Sequence, residues 1–154
     1  MISYLKYYAQ LLKFRLSVTV VISALAGYLI GVTEFELTEL TLLIFGGFLV
    51  TGSANGFNQV LEKDYDKLML RTENRPLPLQ KIQPLNAVVF SFLIGLLGLY
   101  LLSLIKPHGS FYGYLSKSSA FGLLSLMIYV LSYTPLKRMS TVSIFVGAIP
   151  EQLH

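Results

Sequence analysis

The stretch Leu40–Pro78, LTLLIFGGFLVTGSANGFNQVLEKDYDKLMLRTENRPLP, decides the fold. Its first part, Leu40–Leu61, runs for 22 residues without a charge. A helix of that length crosses a hydrocarbon core of about 30 Å. Charge then arrives abruptly: Glu62, Lys63, Asp64, Asp66, Lys67, Arg71, Glu73 and Arg75 follow within one short segment. So the stretch reads as a membrane span that opens into a charged loop.

Other charge-free runs flank it: Leu16–Thr33, Ile82–Ile105 and Ser118–Leu136, with a shorter one at Met139–Pro150. These predict an all-α transmembrane fold. It has four full spanning helices, near 16–33, 40–61, 84–105 and 118–136, and a partial fifth near 140–150. All lie in a single membrane domain covering 1–154. The first run does not read as a cleaved signal, because apolar residues continue past the small-residue triplet Ala24–Ala26.

Composition supports the bilayer as solvent. Hydrophobic residues make up 54% of the chain and charged ones only 13%, which leaves no room for a separate soluble domain. Cysteine is absent, which excludes disulfides, thiolate catalysis and cysteine-ligated metals. The net charge of +4 suits loops facing anionic lipid rather than nucleic acid.

The cations alternate between loops. Lys6, Lys13 and Arg15 precede the first run; Lys63, Lys67, Arg71, Arg75 and Lys81 follow the second; Lys137 and Arg138 follow the fourth. The loop between the first two runs carries Glu34, Glu36 and Glu39 and no cation. The positive-inside rule then predicts a multi-pass protein of the cell (inner) membrane with its N-terminus in the cytoplasm. Tyr4, Tyr7, Tyr8 and Tyr28 lie near run ends and read as an interfacial belt, since tryptophan is absent.

Extending the second helix through Asp66 at 3.6 residues per turn puts Asn55, Asn58, Gln59, Glu62 and Asp66 on one stripe. Asp64 falls on the opposite side, which leaves its role open. Amides and carboxylates at the inner end of a span offer hard oxygen donors of the kind Mg²⁺ uses beside a substrate phosphate. The stripe begins at Asn55, inside the apolar run, where polar groups are costly and mark function by default. Arg71 and Arg75 follow, four residues apart, and guanidinium forks match phosphate oxygens. Thr72 and Asn74 add neutral donors. Lys13 and Arg15 read either as snorkelling anchors or as phosphate contacts. Lys137 either sets topology or reaches a phosphate. Gly52 and Gly56 form a small-residue pair that admits a neighbouring helix or an isoprenoid tail.

The segment NQVLEKDYDKLMLRTENRPLP resembles the first aspartate-rich motif of UbiA-type intramembrane prenyltransferases, and within them the heme farnesyltransferase (heme O synthase) subfamily. Asn58, Glu62, Asp64, Asp66, Met69, Arg71, Thr72, Arg75 and Pro76 carry the match. LLKFRLSVTVVISALAGYLIG is similar to the family's first helix, with Phe14 where a proline is usual, and YTPLKRMSTVSIFVGAIP is similar to its next motif. The resemblance implies the first half of a nine-helix prenyltransferase bundle. It implies Mg²⁺ as cofactor, farnesyl diphosphate and heme B as substrates, the lipid bilayer as surroundings and no nucleic-acid partner. It also implies roles. Asn58, Glu62 and Asp66 hold the metal, and together with Arg71, Arg75 and Lys137 they form the catalytic set. Asn55, Arg15, Lys13, Asp64 and Tyr133 contact the diphosphate or the isoprenoid. The family's second aspartate-rich motif is not found, so the expectation is a truncated N-terminal half, inactive alone and completed by a C-terminal half. The alternatives are prenyl transfer to a quinone precursor, and a non-catalytic membrane remnant or assembly partner.

Overall fold

The computed structural model describes residues 2–32, 34–105 and 116–133. Five helices run in order: α1 (Ile2–Leu11), α2 (Phe14–Gly31), α3 (Leu37–Asp66), α4 (Pro84–Ser103) and α5 (Lys117–Ile128). A π-helical turn, Tyr129–Tyr133, continues α5. The all-α transmembrane class expected from the charge-free runs is the one observed. α2, α3 and α4 are long and apolar enough to cross a membrane, and Lys117–Leu131 forms a shorter apolar helix. The expected partial span near 140–150 lies outside the described residues.

The helix packing is that of a protein dissolved in lipid. Large apolar side chains such as Ile22, Ile30, Phe45, Leu93 and Leu97 face outward. The buried positions of α3 are mostly small or polar: Gly46, Gly52, Ser53, Asn55, Gly56, Asn58, Gln59, Glu62 and Asp66. Lipid tails are as apolar as leucine, so such helices associate through close contact of small residues rather than by hiding apolar ones. The α3–α4 seam shows this directly. A methyl group on Gly98 would meet the Gly46 carbonyl oxygen and the Val50 nitrogen at 2.9 Å, and one on Gly95 would meet Ser53 Oγ at 2.5 Å. Gly56 lies against Ser91 of α4, and Gly52 lies against Leu12. The Gly52/Gly56 pair therefore accommodates neighbouring protein at both positions.

α4 starts at Pro84, whose fixed φ suits the first helical position. α5 is pinned to the end of α4 by Ser116, whose hydroxyl donates to the Leu102 carbonyl at 2.7 Å and accepts from the Ser119 amide at 3.2 Å.

The apolar core sits at one end of the bundle, beneath the loop 67–83. Leu11, Leu77, Ile82 and Ala87 are buried there, with Tyr7, Tyr8, Val60 and Phe90 packed around them. The rings of Tyr8 and Phe90 pack at a tilt of 58° with centroids 4.8 Å apart. Tyr7 and Tyr8, read from the sequence as part of an interfacial belt, are half-buried and pack against this cluster. α1 has no counterpart among the expected elements, although Tyr4, Tyr7, Tyr8 and Leu11 carry the i, i+3, i+4, i+7 spacing of an amphipathic helix.

Candidate active site

α3 is 30 residues long, about 45 Å, so it outlasts the bilayer by roughly two to three turns. Its last turns carry the stripe. Asn55, Asn58, Gln59, Glu62 and Asp66 are all buried on the protein-facing side. Asp64, on the other side, has 72% of its side chain exposed and pairs with Lys67 at 3.4 Å. It is remote from the stripe, as the helical angle demands.

The stripe divides into two working parts. The upper amides serve the backbone. α1 ends at Leu11 and α2 begins at Phe14, so the last carbonyls of α1 lose their intrahelical partners. Gln59 Nε2 donates to the carbonyls of Leu11 at 2.9 Å and Gln10 at 3.3 Å. Asn55 Nδ2 donates to the Leu12 carbonyl at 3.3 Å and to Ser17 Oγ at 3.2 Å, and Ser17 Oγ donates to the same Leu12 carbonyl at 2.7 Å. At the elbow itself Lys13 has φ 45° and ψ 59°, in the left-handed region. That region costs an L-residue about 1–2 kcal/mol.

The lower groups serve charge. Asn58 Nδ2 donates to Glu62 Oε2 at 2.9 Å. Asp66 Oδ2 accepts from Arg75 Nη1 at 2.7 Å. This ion pair folds the loop back on α3. Thr72 reinforces it, being buried with its hydroxyl donating to the Asp66 carbonyl at 3.0 Å and so closing the end of α3. Among the described residues no group of three acidic or imidazole side chains is close enough to cage a metal.

Beside the ion pair lies an open polar cleft of about 280 Å³, lined by Gln10, Lys13, Gln59, Arg71, Asn74 and Arg75. Three cations share it. Like charges held together repel, and a polyanion lying between them reverses the sign of that energy. The donors are of mixed kind: guanidinium forks, an ammonium and side-chain amides, a set suited to many phosphate oxygens.

The structure thus joins Lys13 to Arg71 and Arg75, which lie more than fifty residues later in sequence, and sets them next to Asp66. Arg15 does not line the cleft; it is exposed on the first turn of α2. Lys137 lies outside the described residues, and of Tyr133 only its place at the end of the π-helical turn is described. Gln59 and Asn74, read as polar donors from the sequence, line the cleft, and Gln10 lines it without having been expected to. Gln59 was signalled by its place on the stripe, whereas Gln10 carried no signal because α1 itself was not expected.

The model of the UbiA prenyltransferase family matches residues 20–150. Among curated relatives, the chain is 38% identical over 148 residues to a protein named protoheme IX farnesyltransferase in Christiangramia forsetii, covering 96% of this chain and 46% of the relative. It is likewise 38% identical over 146 residues to a protein of the same name in Flavobacterium psychrophilum, covering 93% of this chain and 46% of the relative. Similarity extends to a mitochondrial protoheme IX farnesyltransferase of Candida glabrata, 35% identical over 143 residues, covering 92% of this chain and 30% of the relative. The chain spans about half the length of the bacterial relatives it matches and less of the mitochondrial one. No solved structure gives a significant match.

Proposed function

The chain belongs to the UbiA prenyltransferase family and is a multi-pass membrane protein, and from that premise we propose that it holds the diphosphate end of farnesyl diphosphate for transfer of the farnesyl group to protoheme IX, giving heme O. The observation that carries this reading is the polar cleft where Lys13, Arg71 and Arg75 meet beside Asp66. The acceptor comes from the relatives, which are named protoheme IX farnesyltransferase.

In that reaction the allylic C–O bond breaks and diphosphate leaves with the electron pair. The vinyl π electrons of the heme form the new C–C bond, and water takes up the resulting cation and releases a proton. Lys13, Arg71 and Arg75 bind the diphosphate and neutralise the charge that grows on it, where fixed charges are worth most. Asp66 orients Arg75 through the 2.7 Å ion pair. Lys137 is assigned to the same neutralising set on its sequence motif. Glu62, Asp66 and the amide oxygen of Asn58 fit Mg²⁺, being hard oxygen donors on one buried stripe. The ion, when bound there, supplies further charge neutralisation to the departing diphosphate.

The cleft is assigned to the cytoplasmic side of the inner membrane, with the N-terminus on that side. The cation-rich segments before the first run and after the second support this. Turnover is assigned to this chain together with a complementing C-terminal half. The test is binding of a farnesyl thiodiphosphate probe to the full chain in nanodiscs. We expect Mg²⁺-dependent binding that is lost in Asp66→Ala, and no conversion of heme B to heme O by this chain alone. Equal binding by wild type and variant rejects the site. Heme O formation in purified, unsupplemented membranes rejects the requirement for a second half.

A further inference from the structure

We propose that Gln59 and Asn55 form a clamp on the α1–α2 elbow whose task is to hold Lys13 in the anion cleft. Gln59 is thus a positioning residue acting through Lys13. The proposal rests on the diphosphate reading of that cleft and adds a means of setting its geometry.

Four observations lead to it. First, Lys13 occupies a left-handed backbone conformation, φ 45° and ψ 59°, at the break between two helices. Glycine takes that conformation without penalty, and it also ends helices there most readily. A lysine kept at such a position points to a use for its side chain. Second, that side chain lines the cleft with Arg71 and Arg75. Third, the elbow is held only in part by its own residues: the Lys13 amide donates to the Gln10 carbonyl at 3.2 Å and Ser17 Oγ to the Leu12 carbonyl at 2.7 Å. Two amides from α3, forty-three or more residues away in sequence, add donors to the carbonyls of Gln10, Leu11 and Leu12. The same α3 carries Asp66, which fixes Arg75. One rigid helix therefore sets the position of two cations of the cleft, Lys13 through the elbow and Arg75 through its carboxylate. Fourth, the elbow is locked from the other side. Leu11 is fully buried against Leu77 and Ile82 of the loop that presents Arg71 and Arg75. An elbow released from Gln59 would take from the Leu11 carbonyl its Gln59 donor, the Gln10 carbonyl keeping the Lys13 amide, and allow Lys13 to relax out of the left-handed region.

Gln59 also lines the cleft, so direct contact with the ligand is the competing account. The two accounts differ in how mutations combine. A positioning residue has no effect on binding once Lys13 is gone, whereas a ligand contact keeps its effect.

The experiment uses the full chain in nanodiscs and has two arms. The first is independent of any ligand. The chain has no cysteine, so Lys13→Cys with Asn74→Cys gives one defined pair across the cleft. We expect rapid cross-linking by a short bifunctional maleimide, slowed about tenfold by Gln59→Leu and by the shape-matched Gln59→Glu, which removes the amide donors. Unchanged cross-linking overturns the clamp.

The second arm measures binding of farnesyl thiodiphosphate with Mg²⁺. Gln59→Leu is expected to weaken it about tenfold in wild type and not at all in the Lys13→Ala background. An equal loss in both backgrounds overturns the positioning role in favour of ligand contact or general disruption. Lys13→Gly guards against misfolding. It is expected to raise the thermal midpoint while weakening binding, and a lowered midpoint overturns the strain argument. Should the wild type fail to bind the probe, the diphosphate reading falls, and the cross-linking arm still decides the clamp.

Discussion

Gly98→Ala tests the packing that holds α4 against the site-bearing helix. A β-carbon at Gly98 would lie 2.9 Å from the Gly46 carbonyl oxygen, from the Val50 nitrogen and from Val50 Cγ2. Ordinary contact begins at 3.4 Å, so α3 and α4 must separate by about 0.5 Å at this point. Two of the three obstructing atoms are backbone, and the third belongs to a β-branched side chain with one strongly preferred helical rotamer, so local adjustment is closed off. Overpacking of this kind costs about 1–3 kcal/mol.

Alanine also gains about 1 kcal/mol of helix propensity over glycine, which masks part of the cost. Gly27→Ala serves as the control, because nothing lies within 4 Å of a β-carbon there. The difference between the two variants isolates the steric cost. In thermal unfolding followed by far-UV circular dichroism in mixed micelles, Gly98→Ala should melt roughly 3–10 °C below Gly27→Ala. Equal midpoints, or a higher one for Gly98→Ala, would refute close backbone approach as the basis of the seam.

Two further outcomes distinguish the charged groups. Arg75→Met should lower both stability and diphosphate binding, since Arg75 is 27% exposed on its side chain and bonded to a buried carboxylate; the stability loss is about 1.5–3 kcal/mol. Arg71→Met, at an exposed position, should weaken binding about tenfold while stability stays within about 0.5 kcal/mol. Isothermal titration paired with thermal unfolding reads both. Asp64→Ala should leave both quantities near wild type, because its 3.4 Å pair with Lys67 is solvent-exposed. A large loss of Mg²⁺-dependent binding in that variant would return Asp64 to the site.

Much of the site was legible because a helix has a known period and a bilayer tolerates little unpaired charge. The stripe from Asn55 to Asp66 follows from spacing alone, and so does the outward position of Asp64. What each stripe residue does was not legible. Asn55 and Gln59 look like Asn58 on a helical wheel, yet they donate to an elbow 38 to 49 residues earlier in the chain. The elbow itself was hidden, because Lys13 and Arg15 read better as snorkelling anchors and α1 was not expected.

Which segments cross the membrane, and which face of α3 carries the acids, are properties of residue order. Both depend on local period and on the cost of placing charge in hydrocarbon, and neither needs a partner segment. The meeting of Lys13, Arg71 and Arg75 is of another kind. It depends on Asp66 drawing Arg75 back across nine residues and on two amides holding a strained elbow at the far end of the chain. It also depends on Leu11 filling a core beneath the loop. These are long-range contacts between groups whose sequence spacing carries no periodic signal, so they exist only once the helices have packed.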